Sequence, residues 1–253
     1  MNIAVCIVTV SPVRKEASHR SEMTSQLLFG EFAEILEMVK DFTRIRCVYD
    51  NYEGWVQTNQ LAETDEDFLN KRPVYTSHWS SEIKINNTIV HLSFGTPVFN
   101  ESNGIQFGRY DVEYMNASCF KEIPKFSPEN ILQLSRIFLN TGYLWGGRSV
   151  FGIDCSGFSQ QVYKLFDIKL PRDAYQQAET GELIGFLAEV KCGDLAFFDN
   201  DEGRITHVGI MLNDHEIIHS SGRVRIDAID HQGIINGDSG QRTHKLRLIK
   251  RYA

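Results

Sequence analysis

The sequence predicts an α+β protein in which helices pack on an antiparallel sheet, preceded by one or two small β-barrels. Two patterns lead there. In the N-terminal half, the strand-like runs Ile3–Val10, Glu31–Val39, Phe42–Tyr49 and Gly54–Gln57 follow one another across polar or glycine-bearing turns, the spacing of a small all-β barrel. In the C-terminal half, apolar residues at helical spacing come first (Ile131, Leu134, Phe138, then Phe158, Val162, Leu165, Phe166). Strand-like runs follow at Asp194–Phe198, His207–Leu212, Glu216–Ser220 and Lys245–Arg251. Helices gathered ahead of strands make an α+β layer arrangement. A chain of 253 residues with 42% hydrophobic and 23% charged residues has a globular composition. At roughly 100–150 residues per domain it has room for two or three units.

Taken in order, residues 1–62 read as the first barrel. Residues 63–124 read as a second barrel or a linker. Leu92-Ser-Phe-Gly-Thr-Pro-Val-Phe99 echoes the Leu28-Phe-Gly-Glu31 start of the first barrel, with strands to follow at Ile105–Tyr110 and Val112–Tyr114; the acidic Glu63-Thr-Asp-Glu-Asp67 reads as a linker or a solvated first turn, the linker preferred because strand patterning pauses there. Residues 125–253 form the α+β unit. Ser127-Pro-Glu129 supplies an N-cap residue, a proline at the first helical position and an acid in the first turn, so a helix runs from there to about Asn140.

Composition narrows the function. The formal net charge is −7 and no basic patch with interleaved aromatics stands out, which argues against a nucleic-acid partner. No run approaches the roughly 20 apolar residues of a membrane span. Ile3–Val10 is short, has no basic residue before it and is followed by Pro12 and Arg14, so it reads as a barrel strand and not a secretory signal. Five cysteines at irregular spacings give no disulfide framework. Both observations lead us to expect a cytoplasmic protein.

The chemistry concentrates at Cys155. It lies between a glycine-rich approach and a helical run, in Gly152-Ile-Asp-Cys-Ser-Gly-Phe158, so it is expected at a helix N-terminus, where free N–H groups favour thiolate over thiol. A nucleophilic cysteine needs a base. His207 opens an apolar strand, and the next segment carries His219 across the turn-forming Asn213-Asp214, so a hairpin brings the two histidines together. If His219 accepts the Nδ1–H of His207, the Nε2 of His207 faces the sulfur. Cys6, Cys47, Cys119 and Cys192 sit in runs that read as core strands or turns. His78, His91, His215, His231 and His244 read as ordinary core or surface residues. One cysteine and two histidines are also acceptable zinc ligands, but the chain has no Cys-x-x-Cys pair and no His-Glu-x-x-His, so no metal or other cofactor is expected.

These residues carry a resemblance. From about Ser127 onward the chain resembles the NlpC/P60 family of papain-like cysteine peptidases. The matches lie at Tyr143-x-Trp-Gly-Gly, Asp154-Cys-Ser-Gly-Phe158, Leu170-Pro-Arg-Asp173, Gly193-Asp-Leu195, His207-Val-Gly-Ile210 and His219-Ser220. The resemblance implies Cys155 as nucleophile, His207 as base and His219 as its orienting partner. It also implies hydrolysis of murein peptides, commonly between γ-linked D-glutamate and a diamino acid. The Cys155 N–H and the Tyr143 hydroxyl are candidate donors to the tetrahedral oxygen. Asp154 and Ser156 are candidate substrate contacts, against a plain helix-capping role. Close relatives often read Arg-Asp-Ala-Ser where this chain has Arg172-Asp-Ala-Tyr175, which bears on fine specificity.

The N-terminal half resembles a bacterial SH3 domain, through Leu28-Phe-Gly-Glu31 and Gly54-Trp-Val56. In family members that act on peptides with a free N-terminal L-Ala, the first such domain meets the substrate amine, and Glu22 and Tyr52 match the acidic and tyrosine contacts by position. A carboxylate facing an ammonium suits that task; an exposed Glu and an ordinary barrel tyrosine is the plainer alternative. Because such modules also bind cell-wall peptides without cutting them, a non-catalytic wall-peptide-binding protein is the rival function.

Overall fold

The computed structural model describes residues 2–99, 104–114 and 117–253. The chain divides into two compact units, Met1–Ile123 with Trp145–Val150, and Pro124–Leu144 with Phe151–Ala253. The helices are α1 (Pro128–Arg136), α2 (Cys155–Lys164) and α3 (Ala174–Ala178). None of the described helices is long and apolar enough to cross a membrane.

The first unit begins with β1 (Ile3–Cys6), β2 (Val10–Arg14), β3 (Met23–Leu28), β4 (Phe32–Val39), β5 (Phe42–Cys47), β6 (Glu53–Gln57) and β7 (Leu61–Thr64), paired in the order β3-β2-β6-β5-β4-β1-β7. Cys6, Val13, Leu27, Ala33, Ile45 and Val56 come from six successive strands and meet in one cluster. Only a sheet curled into a small barrel lets six strands do this. Ile3–Val10, expected as one strand, is broken between β1 and β2, and β3 was not anticipated because its polar Thr24, Ser25 and Gln26 mask the alternation.

Next come β8 (Val74–Tyr75), β9 (Ser80–Ile85), β10 (Thr88–Ser93), β11 (Pro97–Val98), β12 (Ile105–Phe107) and β13 (Tyr110–Glu113), and β14 (Arg148–Ser149) lies on the later segment. Strands β10-β9-β13-β12 make a second sheet. The β9–β10 hairpin turns at Asn86 and Asn87, both at positive φ, as a tight two-residue hairpin turn requires. Ile83, Leu92, Phe107 and Val112 of this sheet share a core with Val5, Phe29 and Ala62. The acidic run, read as a linker in preference to a solvated first turn, is the end of β7 and the start of a 3-10 turn, Glu66–Asn70, and β7 pairs with β1 across the anticipated boundary at residue 62.

In the second unit α1 is capped as its sequence indicates, with Asn130 N–H donating to Ser127 Oγ (3.3 Å). Its α-helical bonding stops at Arg136, earlier than expected. Shorter-range bonds carry the chain to Asn140, whose positive φ ends the run. After β15 (Gly152–Ile153) come β16 (Glu182–Ile184), β17 (Leu195–Asp199), β18 (Ile205–Met211), β19 (Glu216–Ser221), β20 (Arg223–Asp230), β21 (Gly233–Ile235) and β22 (Arg242–Arg251). The order is β16-β22-β17-β18-β19-β20-β21, and β22 also pairs with β21. The long last strand therefore closes the sheet into a ring around Ala196, Phe198, Met211, Ile217, Ile229, Ile234 and Ile249. Helix α2 packs on β18 and β19.

Candidate active site

Cys155 is the first residue of α2. Asp154 caps the helix, accepting from Gly157 N–H (2.7 Å), a bond whose loss typically costs about 1 kcal/mol. Arg172, brought in by the Leu170-Pro-Arg-Asp turn, donates to both carboxylate oxygens of Asp154 (3.1 and 2.6 Å) and to Ser156 Oγ (2.9 Å), and all three residues are buried. Gln177 Nε2 ties the turn down by donating to the Ser156 and Pro171 carbonyls (3.1 and 2.8 Å). Asp154 and Ser156, expected as substrate contacts, are thus engaged by a buried guanidinium that fixes the start of the helix.

The Cys155 sulfur lies 4.0 Å from the Thr206 carbonyl oxygen, on the strand that carries His207. Burial is the largest influence on the thiol and, with Asp154, pushes its pKa up to about 12, against the Val208 N–H, Arg172 and the Ser156 N–H. Burial, then His219 and His244, holds His207 well below 6.5. The expected standing thiolate is therefore not the resting form. Desolvation outweighs the helix terminus, and the pair rests as thiol and neutral imidazole.

Across the hairpin, Gly209 lies opposite His219, and a Cβ at Gly209 would come within 2.8 Å of the His219 Cβ. The glycine gives His219 room on the face that bears His207. His207 Nε2 lies 2.8 Å from His219 Nδ1, and His219 Nε2 lies 3.0 Å from Asp227 Oδ2. Burial opposes charge on Asp227, yet bonds from His219, the Gly237 N–H and Arg225 hold its carboxyl well below the usual carboxylate range. An ionised Asp227 accepts from His219 Nε2–H, which leaves His219 Nδ1 to accept from His207 Nε2–H. The basic nitrogen of His207 is then Nδ1, the reverse of the expected assignment.

Asp227 was missed by the sequence reading, and so was the stacking of His244 on His207, with ring centroids 4.1 Å apart. Tyr143 lies on this site too. Burial first, then the neighbouring Cys155 and Asp154, raises its hydroxyl pKa, while Arg172 opposes this. Tyr175 is exposed on α3. Among the described residues no three His, Cys, Asp or Glu side chains are grouped as a metal site.

The second unit thus brings together Cys155, His207, His219, Tyr143, Asp154 and Ser156. Glu22 and Tyr52 belong to the first unit. Glu22 is exposed, and its Oε1 accepts from the indole N–H of Trp145 (2.9 Å). Tyr52 is half-buried against the barrel core. Trp145, 60% exposed in the middle of Tyr143-x-Trp-Gly-Gly, was also missed; a large aromatic beside two glycines was the available signal. Gly146 beside it has a positive φ, and its backbone approaches the Met23 carbonyl too closely to admit a side chain.

Residues 140–241 match the NlpC/P60 family, and residues 13–61 match the bacterial dipeptidyl-peptidase SH3 domain. The chain is 35% identical over 186 residues to a gamma-D-glutamyl-L-lysine dipeptidyl-peptidase of Bacillus subtilis, a match covering 67% of this chain and 60% of that protein. A protein of the same name from Bacillus cereus is 26% identical over 259 residues, covering 90% of this chain and 77% of the relative. Among solved structures, an NlpC/P60 family protein from Bacillus cereus shares the fold with a TM-score of 0.82 at 20% identity, covering 99% of each chain.

Proposed function

The chain belongs to the NlpC/P60 family and carries an SH3-like domain ahead of its papain-like unit, and from that premise we propose that it is a cysteine endopeptidase of murein peptides. The bond cut on this reading joins γ-linked D-glutamate to a diamino acid. The relay from Asp227 through His219 to His207 carries the proposal, because it leaves Nδ1 as the free base on the strand against which the Cys155 sulfur rests.

Since thiol and imidazole both rest neutral, proton transfer from Sγ to His207 accompanies attack on the γ-glutamyl carbonyl. The carbon–sulfur bond forms, the carbonyl electrons move to oxygen, and the Cys155 N–H and Tyr143 hydroxyl donate to that oxygen. The imidazolium is met by His219 and the Asp227 carboxylate. It gives its proton to the departing amine, leaving a thioester that water hydrolyses with His207 again as base. Arg172 holds Asp154 and Ser156 so that the N–H groups at the start of α2 stay aimed. Glu22 and Tyr52 are assigned to the free amine of an N-terminal L-Ala, with the Trp145 indole fixing the Glu22 carboxylate.

The test is mass spectrometry of products from L-Ala-γ-D-Glu-diamino-acid peptides with free and acetylated amines. Cleavage after D-Glu, its loss in Cys155→Ala and slow turnover of the acetylated peptide are expected. Equal turnover of the two peptides removes the role given to Glu22 and Tyr52, and binding without cleavage favours the wall-peptide-binding alternative. We also propose that the enzyme works in the cytoplasm on recycled peptides, so that free tripeptide is cut in preference to polymeric sacculus.

A further inference from the structure

The base has a neighbour that the relay does not use. The His244 ring, on β22, lies face to face with the His207 ring, centroids 4.1 Å and planes 28° apart, and stands edge-on to His219 at 5.7 Å and to Phe198 at 5.9 Å. Phe198 tilts against His207 at 5.6 Å. Thr243 Oγ1 lies 2.8 Å from His244 Nδ1 and restrains the ring's rotation. His244 also lines a surface cavity of about 580 Å³ with His231, Gln232, Arg242, Lys245 and Leu246, so it borders both the buried base and an open space.

An imidazole that takes up a proton and returns it must not turn between the two events. One hydrogen bond at Nε2 fixes a point on the ring but leaves its plane free to pivot, and the terminal torsion of histidine is broad. A parallel ring fixes the plane. We propose that His244 is a positioning residue for the base: its flat ring, stacked on His207, keeps Nε2 on His219 and Nδ1 turned away from the relay, and shields that imidazole from the cavity. This rests on the reading of Cys155 and His207 as nucleophile and base.

The groups facing His244 are His207 from β18, His219 from β19 and Asp227 from β20, with Arg242 and Lys245 on its own strand and His231 at the cavity. Burial, then His219, pushes the pKa of His244 down to about 4, against Asp227. Near neutral pH the stack therefore joins two uncharged rings, and shielding by His244 helps keep His207 unprotonated.

The test compares His244→Leu, which fills the space without a flat ring, with His244→Phe, which restores the flat ring without a titrating group. Two readouts are followed against pH: the rate at which iodoacetamide alkylates Cys155, and kcat/KM on the free tripeptide. The Leu variant is expected to slow both by roughly three- to tenfold, the size of an aromatic pair's contribution, and to move the acid limb up toward pH 6.5 as His207 loses its shield. The Phe variant is expected to stay within about twofold of the unmodified protein and to keep its limb. Leu and Phe variants that behave alike, whether both normal or both impaired, overturn the proposal. Alkylation needs no substrate, so failure to cut any murein peptide would sink the proposed function and leave this test standing. A His207→Ala profile identical to that of the unmodified protein would sink the thiol–base pair and this inference with it.

Discussion

Cys6 in the first unit and Cys155 in the second are buried thiols that desolvation raises to about the same value, near 12. Their surroundings differ. The Cys6 sulfur lies within hydrogen-bond reach of the Val8 and Leu27 carbonyls (3.3 and 3.7 Å) among Val13, Ala33 and Val56, and the nearby Glu31 carboxylate opposes its ionisation. Cys155 has helix N–H groups, Arg172 and the His207 strand. Each unit also buries an arginine–carboxylate pair. Arg148 binds both oxygens of Glu31 (2.8 and 3.1 Å) and the Gln26 carbonyl (2.6 Å), while Arg172 grips Asp154 at the head of the nucleophile's helix. The same ingredients make packing in one unit and a site in the other. What separates them is convergence on an ordered base, not burial or a shifted pKa.

The sharpest break in that comparison exchanges the two thiols. Cys155→Ala should lower kcat/KM by about 10⁴-fold or more while leaving the melting temperature within a few degrees, since it removes the attacking atom. Cys6→Ala should leave activity per folded molecule unchanged and cost on the order of 1 kcal/mol in urea denaturation for the small cavity it opens. Activity that survives Cys155→Ala refutes the assignment.

The ion pairs come next. Removing one partner of a buried pair strands the other's charge, at about 3–5 kcal/mol. Arg148→Met should show this as a lower urea midpoint, and adding Glu31→Gln should recover much of it. Arg172→Met should lose stability and also kcat, because Asp154 and Ser156 are no longer held at the start of α2. If Arg148→Met and Arg172→Met give the same kcat per folded molecule, the distinction between packing and site is wrong.

Smaller still is the effect expected for Asp227→Asn, about 10²-fold in kcat with KM little changed. An amide in place of the carboxylate no longer enforces Nε2–H on His219, so His207 loses its preferred tautomer. A change confined to KM would instead put Asp227 at the substrate.

Much of the second unit was legible in the sequence because its signals are local. The N-cap, proline and acid of α1, the Asp154-Cys-Ser-Gly cap and the hairpin around Asn213-Asp214 each depend on residues within one turn. Asp227 was not legible. It sits in Arg223–Asp230, where arginines and aspartates alternate with apolar residues like a solvated strand. Its role depends on the β19–β20 register, which sets His219 opposite Arg225 and brings the carboxylate two residues on to His219 Nε2. His244 is hidden likewise, since only ring closure by β22 carries it to His207. The tautomer inverted for the same reason: which nitrogen meets His219 follows from backbone geometry that spacing does not report.

The histidines supply a last contrast, and it is read through pH. In the first unit His19, His78 and His91 are all exposed, whereas in the second His207 and His219 are buried and His244 packs against both. Burial lowers the pKa values of these three, His207, His219 and His244, below 6.5, His244 to about 4. As pH falls, the unfolded chain therefore takes up these protons before the folded one, so the stability they contribute is present above pH 6.5 and is lost below it. Between pH 6.5 and the folded pKa, each such group removes about 1.4 kcal/mol per pH unit. Asp227 does not cancel this, because a depressed carboxylate keeps its contribution until the pH drops below about 3.8, the ordinary aspartate value. Mild acid between pH 6.5 and 4 should therefore loosen the second unit first, and hydrogen exchange should show amides of β18, β19 and β22 losing protection ahead of those of β1, β4 and β5. kcat/KM should hold at the top of that window and fall only at lower pH, where His207 of the folded protein takes up its own proton. Loss of protection that is uniform, or that begins in the first unit, would mean that the buried histidines do not govern acid stability.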